Sequence, residues 1–178
     1  MAFKYSRGGL IDIKIDLDLS KCLFKTDDLD CYEEEYLENK GYFYGEFVPI
    51  GSESKKGFHV KKNTRESLSH TFLVHNIKEE IQKYTEKINV FITTKPDILF
   101  KNKKGNFVAL EIESGKNFKR HKERIKNKFV NCLKKYPETY IVLTSTKMKN
   151  KYKRLFPNIR VMVRTDIQGF LKQQFKKR

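Results

Sequence analysis

What this chain lacks narrows its class before any motif is read. Its three cysteines, Cys22, Cys31 and Cys132, lie far apart and form no Cys-x-x-Cys pair. That argues against a structural zinc site and for free thiols, with Cys132 expected in a helix core. No apolar run approaches the ~20 residues that a membrane span requires. The opening residues Met1-Ala2-Phe3-Lys4-Tyr5-Ser6-Arg7 lack the apolar core of a signal peptide. A cytoplasmic protein with no membrane partner is expected. The acidic stretch from Asp27 to Glu38 lacks the Asp/Asn/Gly spacing of a calcium loop and reads as a solvated face.

Acid is scarce in one place only. Residues 1–113 hold 18 Lys and Arg against 19 Asp and Glu, and residues 114–178 hold 20 against 3. The whole of the +16 net charge therefore sits in the last third of the chain. A uniformly lysine-rich surface would spread its excess evenly. An asymmetry this strong points to a polyanion partner, most often nucleic acid.

A chain of 178 residues is long enough for one core domain with a smaller appendage. Residues 1–60 read as a small β-rich N-terminal extension. The alternation Ile11-Asp12-Ile13-Lys14-Ile15-Asp16-Leu17-Asp18-Leu19 predicts a half-buried strand, Gly41 to Ile50 is an aromatic-rich strand, and Gly51 to Gly57 is a turn. Residues 61–178 read as an α/β core. Leu73, Ile77, Ile81 and Tyr84 recur at helical spacing and predict a helix over Glu66–Thr85. Strands follow at Val90–Ile92, Asp97–Phe100 and Phe107–Glu113. The next helix spans Phe118–Lys135, with Phe118, Ile125, Phe129, Val130 and Leu133 inward. Strands at Tyr140–Thr144 and Ile159–Val163 come next. Thr165-x-x-Gln168 has capping-box form and opens a last helix burying Ile167, Phe170, Leu171 and Phe175. This alternation predicts a mixed central sheet with helices on both faces.

The strand Phe107-Val108-Ala109-Leu110-Glu111-Ile112-Glu113 is apolar enough to be buried on both faces, yet it ends in two glutamates. Side chains alternate along a strand, so Glu111 and Glu113 share a face. A hairpin turning at Gly105 brings Asp97 beside Glu111. Three carboxylates near one point repel one another, and a hard divalent cation with oxygen ligands, Mg2+ or Mn2+, removes the conflict.

Pro96-Asp97, a hairpin, then Glu111-Ile112-Glu113 resembles the PD-(D/E)XK nuclease superfamily, the restriction-endonuclease-like fold. The helix–three strands–helix–strand order of residues 65–165 is similar to that family's core. The segments Ser69–Asn76 and Leu110–Gly115 also resemble replication-relaxation-type proteins of plasmids and integrative elements. The resemblance implies a metal-dependent DNA endonuclease, possessed by a virus or mobile element, that hydrolyses phosphodiester bonds. It assigns Asp97 and Glu111 to the metal. The third motif position, commonly lysine, is Glu113 here. Glu113 would join the metal set, and Lys116, just past the strand, would take the lysine's role. The family's first helix often lends an acid to the site, which Glu66 or Glu80 could supply, and His70 lies on the same stripe as a core histidine or a phosphate contact. Lys116, Lys119, Arg120, Lys122, Arg124 and Lys126 would contact phosphates, with the helix from Asn117 opening beside the glutamates. The partner would be DNA, with RNA the second choice, and a homodimer would suit cutting of both strands. The alternative is a non-cleaving DNA-binding or replication-control module with a degenerate nuclease fold, for which the missing lysine speaks.

Overall fold

The computed structural model describes residues 2–6, 9–13, 15–62, 66–91, 96–116, 118 and 120–176, with side chains from residue 15 onward. Of the residues read above, Met1, Arg7, Lys14, Ile92, Asn117 and Lys119 lie outside the described residues. The chain divides into two compact units, residues 1–48 with 54–72 and residues 49–53 with 73–178. The boundary expected at residue 60 is thus replaced by one with an exchanged loop. Local packing explains it. Ile50 is buried in the second unit's core. Its N–H donates to Asn76 Oδ1 at 2.8 Å, and Arg164 Nη1 donates to the carbonyls of Pro49 at 2.6 Å and Ser52 at 2.9 Å.

The first unit begins with a hairpin of β1 (Ala2–Ser6) and β2 (Gly9–Ile13). Of the strand predicted over Ile11–Leu19, residues 15–19 are not strand, and Asp18 Oδ1 accepts from the Ser20 N–H and hydroxyl in a turn. Then come β3 (Leu23–Lys25), α1 (Cys31–Asn39), β4 (Tyr42–Phe47) and β5 (Lys56–Lys61), the strands pairing antiparallel in the order β3-β5-β4. The acidic stretch is largely helix, not merely a solvated face. Asp30 accepts from the N–H groups of Tyr32 and Glu33, and Glu33 returns a bond to the Asp30 N–H. This capping box satisfies the orphan donors of the first turn, and its acids suit the helix dipole. Gly41, at φ 82°, lets the chain leave α1 for β4. Leu23, Phe58, Val60 and Phe72 form this unit's core.

The helix α2 (Leu68–Gln82) straddles the boundary and is shorter at both ends than its periodicity suggests, leaving Glu66 and Tyr84 outside. The second unit continues with β6 (Ile88–Val90), β7 (Ile98–Lys101), β8 (Phe107–Glu113), α3 (Lys122–Lys135), β9 (Glu138–Leu143), α4 (Lys149–Leu155), β10 (Val161–Val163) and α5 (Ile167–Phe175). Its sheet runs β10-β9-β8-β7-β6. The pairs β6–β7 and β7–β8 are antiparallel, while β8–β9 and β9–β10 are parallel. Leu110, Ile112, Val142 and Met162 meet α2 and α5 on one face. Ile141, Leu143, Val161 and Val163 meet α3 and α4 on the other. Each fully buried aliphatic or aromatic side chain there contributes about 1.5–3 kcal/mol. The α/β class with helices on both faces of a mixed sheet is therefore observed.

Several local expectations change. α3 starts at Lys122, and Phe118 is buried in the preceding turn. Val130, expected inward, is 48 % exposed, whereas Cys132 is buried as expected. α4 has no counterpart in the sequence reading. The capping box read from Thr165 does not form. The 3-10 turn Arg164–Asp166 leads into α5 instead, with Asp166 accepting from the Val163 N–H. The three cysteines are free, as expected. No helix among the described residues is long and apolar enough to cross a membrane.

Candidate active site

The site is assembled by the central strand of the five-stranded sheet. In the β7–β8 hairpin Ile98 pairs with Leu110, so Asp97 comes opposite Glu111 one step further along. Asp97 Oδ2 accepts from the Ile112 N–H at 2.7 Å, which ties the head of β7 to the end of β8. Glu111 and Glu113 point to the face covered by α3 and α4, because Leu110 and Ile112 occupy the other face. Glu111 is 1 % exposed.

The cation that meets these carboxylates is Lys128 of α3. Its Nζ lies 2.6 Å from Glu111 Oε2 and 3.3 Å from Glu113 Oε1. The contact with Glu111 is a close ion pair. From α4, the fully buried Tyr152 packs its ring on Phe118 at 4.8 Å and donates its hydroxyl to Glu113 Oε2 at 3.3 Å. Glu113 is thus held from both sides, one oxygen by an ammonium and the other by a phenol.

Among the described residues Asp97, Glu111 and Glu113 gather around the Lys128 ammonium. Burial pushes the Glu111 carboxyl up to about 8, against the pull of Lys128 and with the push of Asp97 and Glu113. Burial alone would lower Lys128, but Glu111, Glu113 and Asp97 outweigh it and hold the ammonium above its ordinary value. Burial and the Glu113 carboxylate push Tyr152 upward, so its proton stays on the hydroxyl that donates to Glu113.

The residues expected here divide into two sets. Asp97, Glu111 and Glu113 come together. Lys116 is exposed in the turn after β8, and its place at the carboxylates belongs to Lys128. Arg120, Lys122 and Arg124 are exposed, Lys126 pairs with Glu123 at 3.2 Å, and Lys119 lies outside the described residues. Because α3 begins at Lys122, it reaches the glutamates through its second turn and not through its N-terminus. Glu66 lies 3.6 Å from His70 Nδ1, and Glu80 pairs with Lys83. The charges acting on Glu111 are those of Lys128, Asp97 and Glu113.

The sequence reading counted Lys128 only among the basic residues of the helix after the site, and Tyr152 escaped it, although both left a trace. Lys128 flanks the buried stripe Ile125, Phe129 and Cys132, with its side chain 39 % exposed and its ammonium turned to the glutamates. Tyr152, Leu155 and Phe156 recur at i, i+3 and i+4 inside a lysine-rich run.

Among the described residues no group of three or more His, Cys, Asp or Glu side chains has the spacing of a metal cage. The donors suit a less demanding role. They are carboxylate oxygens, the chemistry of Mg2+ and Mn2+, which use one or two carboxylates and fill the remaining positions with water and substrate oxygens. Glu111, buried beside Asp97 and Glu113, fits such a divalent cation together with Asp97, the cation then sharing Glu111 with the Lys128 ammonium. Glu113, committed to Lys128 and Tyr152, fits it less well. No family model, curated protein or solved structure matches the chain.

Proposed function

We propose that this cluster is the active site of a metal-dependent nuclease of PD-(D/E)XK type that hydrolyses phosphodiester bonds in DNA. The observation that supports it most is the buried Glu111 at the end of the central strand, with Asp97 and Glu113 close enough to raise its carboxyl further and the Lys128 ammonium against it. The basic last third of the chain, which contributes α3 and α4 to the same site, supports an anionic substrate.

A bound Mg2+ would supply charge neutralisation at the phosphate and an activated water. The chain's own residues divide the remaining work. Asp97 is oriented by the Ile112 N–H, so its carboxylate is fixed relative to Glu111. Lys128 takes the role of the motif lysine from the helix, placing a fixed positive charge where charge develops on the phosphate. Tyr152 keeps Glu113 turned toward Lys128, which explains a glutamate in the third position: the lysine that commonly stands there has its counterpart on α3.

A second reading, a DNA-binding module that cleaves nothing, is favoured by the 2.6 Å ion pair, since Lys128 already occupies Glu111. One gel decides between them. Supercoiled plasmid incubated with Mg2+ should be nicked or linearised, EDTA should stop the reaction, and Glu111→Gln should abolish it while DNA binding persists. Plasmid left intact with both Mg2+ and Mn2+ would establish the non-cleaving reading.

A further inference from the structure

We infer that the segment Thr146–Leu155 is a second phosphate-binding arm, which holds a nucleic-acid strand beside the carboxylate cluster. This rests on the reading of that cluster as a nucleic-acid site.

Three contacts fix the segment to the cluster. The Thr144 N–H donates to the Glu113 carbonyl at 3.1 Å, where the chain leaves β9. Gly115, at φ 73°, lies so close to Met148 that an added Cβ would stand 2.6 Å from Met148 Cγ. One turn further, Tyr152 reaches the Glu113 carboxylate. Met148 and Tyr152, four residues apart, are therefore the inward edge of a continuous run formed by the 3-10 turn Thr146–Met148 and α4.

On one flank of that edge stand Lys147, Lys151 and Arg154, spaced i, i+4 and i+7, all exposed. At 1.5 Å per residue they extend over about 10 Å, on the order of three nucleotides of a stacked strand. The opposite flank carries Lys149, paired with Asp166 at 2.8 Å, and, one turn on, the exposed Lys153. The acids of residues 114–178 are Glu123, Glu138 and Asp166. Their partners are Lys126 for Glu123, Asn102 and Asn106 for Glu138, and Lys149 for Asp166. The stripe of three cations thus has its charge matched by no acid of its own region. A solvated lysine face would be placed without regard to the carboxylates, whereas this one is anchored to Glu113 by a buried tyrosine. A regular row of cations fastened beside a phosphodiester site fits the backbone of the strand bound there, read for its charge and not for its sequence.

The test is a binding measurement with the full chain in EDTA, so that cleavage plays no part. A fluorescent duplex of about 30 base pairs is titrated at several salt concentrations. Lys147→Ala with Lys151→Ala should weaken binding about 10-fold near 0.1 M salt and reduce the slope of log affinity against log salt by about 2. The comparison is Lys103→Ala with Lys104→Ala, which removes two exposed cations from the β7–β8 turn at the other end of the strands. That variant should stay within about twofold of the parent. Equal losses in the two variants would reduce the effect to net charge and overturn the proposal, as would an unchanged affinity in the first. Melting temperatures close to the parent's establish that both variants fold, as is expected of exposed positions. Failure to cleave plasmid leaves this result standing, so the arm and the nuclease reading fail separately.

Discussion

The hairpin of β7 and β8 carries a buried polar group at each end, and the two ends are built on opposite principles. At the turn, Asn102 is 8 % exposed and meets partners on every side. Its Oδ1 accepts from the N–H groups of Lys104 and Asn106, and its Nδ2 donates to Glu138 and Gln174. At the other end, the more deeply buried Glu111 has one ammonium to share with two further carboxylates. A polar group kept for structure is satisfied, because leaving it otherwise costs about 1–3 kcal/mol. A buried carboxylate beside two others costs stability, and such perturbed groups cluster at functional sites.

The sharpest way to break this contrast is to remove its one cation. Lys128→Met should lower plasmid cleavage by about 10²-fold or more, because the positive charge at the phosphate is lost. It should also raise the pH at which Glu111 ionises. Activity near the parent's would move the lysine's role elsewhere.

Acidity sharpens the contrast next. The folded chain keeps the Glu111 proton up to about pH 8, whereas an unfolded chain releases it near 4.5. Between those values the folded state binds the additional proton, so this group's contribution to stability is full at the acid end and declines as pH rises to about 8. The slope for one proton is at most about 1.4 kcal/mol per pH unit. Melting temperature measured from pH 5 to pH 8 should fall in the parent relative to Glu111→Gln, the gap closing toward acid. A gap independent of pH would contradict the raised value.

At the turn the sign is reversed between stability and function. Asn102→Ala strips acceptors from two backbone N–H groups and should cost about 1–3 kcal/mol in chemical denaturation, with cleavage per folded molecule unchanged. The smallest effect belongs to Lys116→Ala. The residue is exposed and is not the cation at the carboxylates, so stability should move by less than about 0.5 kcal/mol. Cleavage at saturating DNA should be that of the parent, and a loss equal to that of Lys128→Met would return the lysine's role to Lys116.

Much of the frame was legible along the chain. The strand Phe107–Glu113 has the bounds its apolar run indicates, since a run buried on both faces is conspicuous. Asp97 beside Glu111 followed from the hairpin and its turn at Gly105, because short connections leave little freedom of register. Other elements were hidden by competing signals. α1 was obscured by its acidity, although Asp30 and Glu33 spelled its cap. α4 was obscured by its lysines, and the start of α3 by Phe118, which is buried from a turn and not from a helix.

By itself, then, the sequence determined the α/β class, the central strand and the carboxylates that meet at its end. These depend on alternation, apolar runs and short turns, all of which act between residues close along the chain. The partners of those carboxylates were decided only by tertiary structure. Lys128 and Tyr152 reach Glu113 from α3 and α4, 15 and 39 residues on. Which of many lysines arrives depends on how those helices are rotated and seated on the sheet, and that is set by the packing of Ile125, Phe129 and Phe156 against β9 and β10. The charge pattern announced a cation near the glutamates, and packing selected the one.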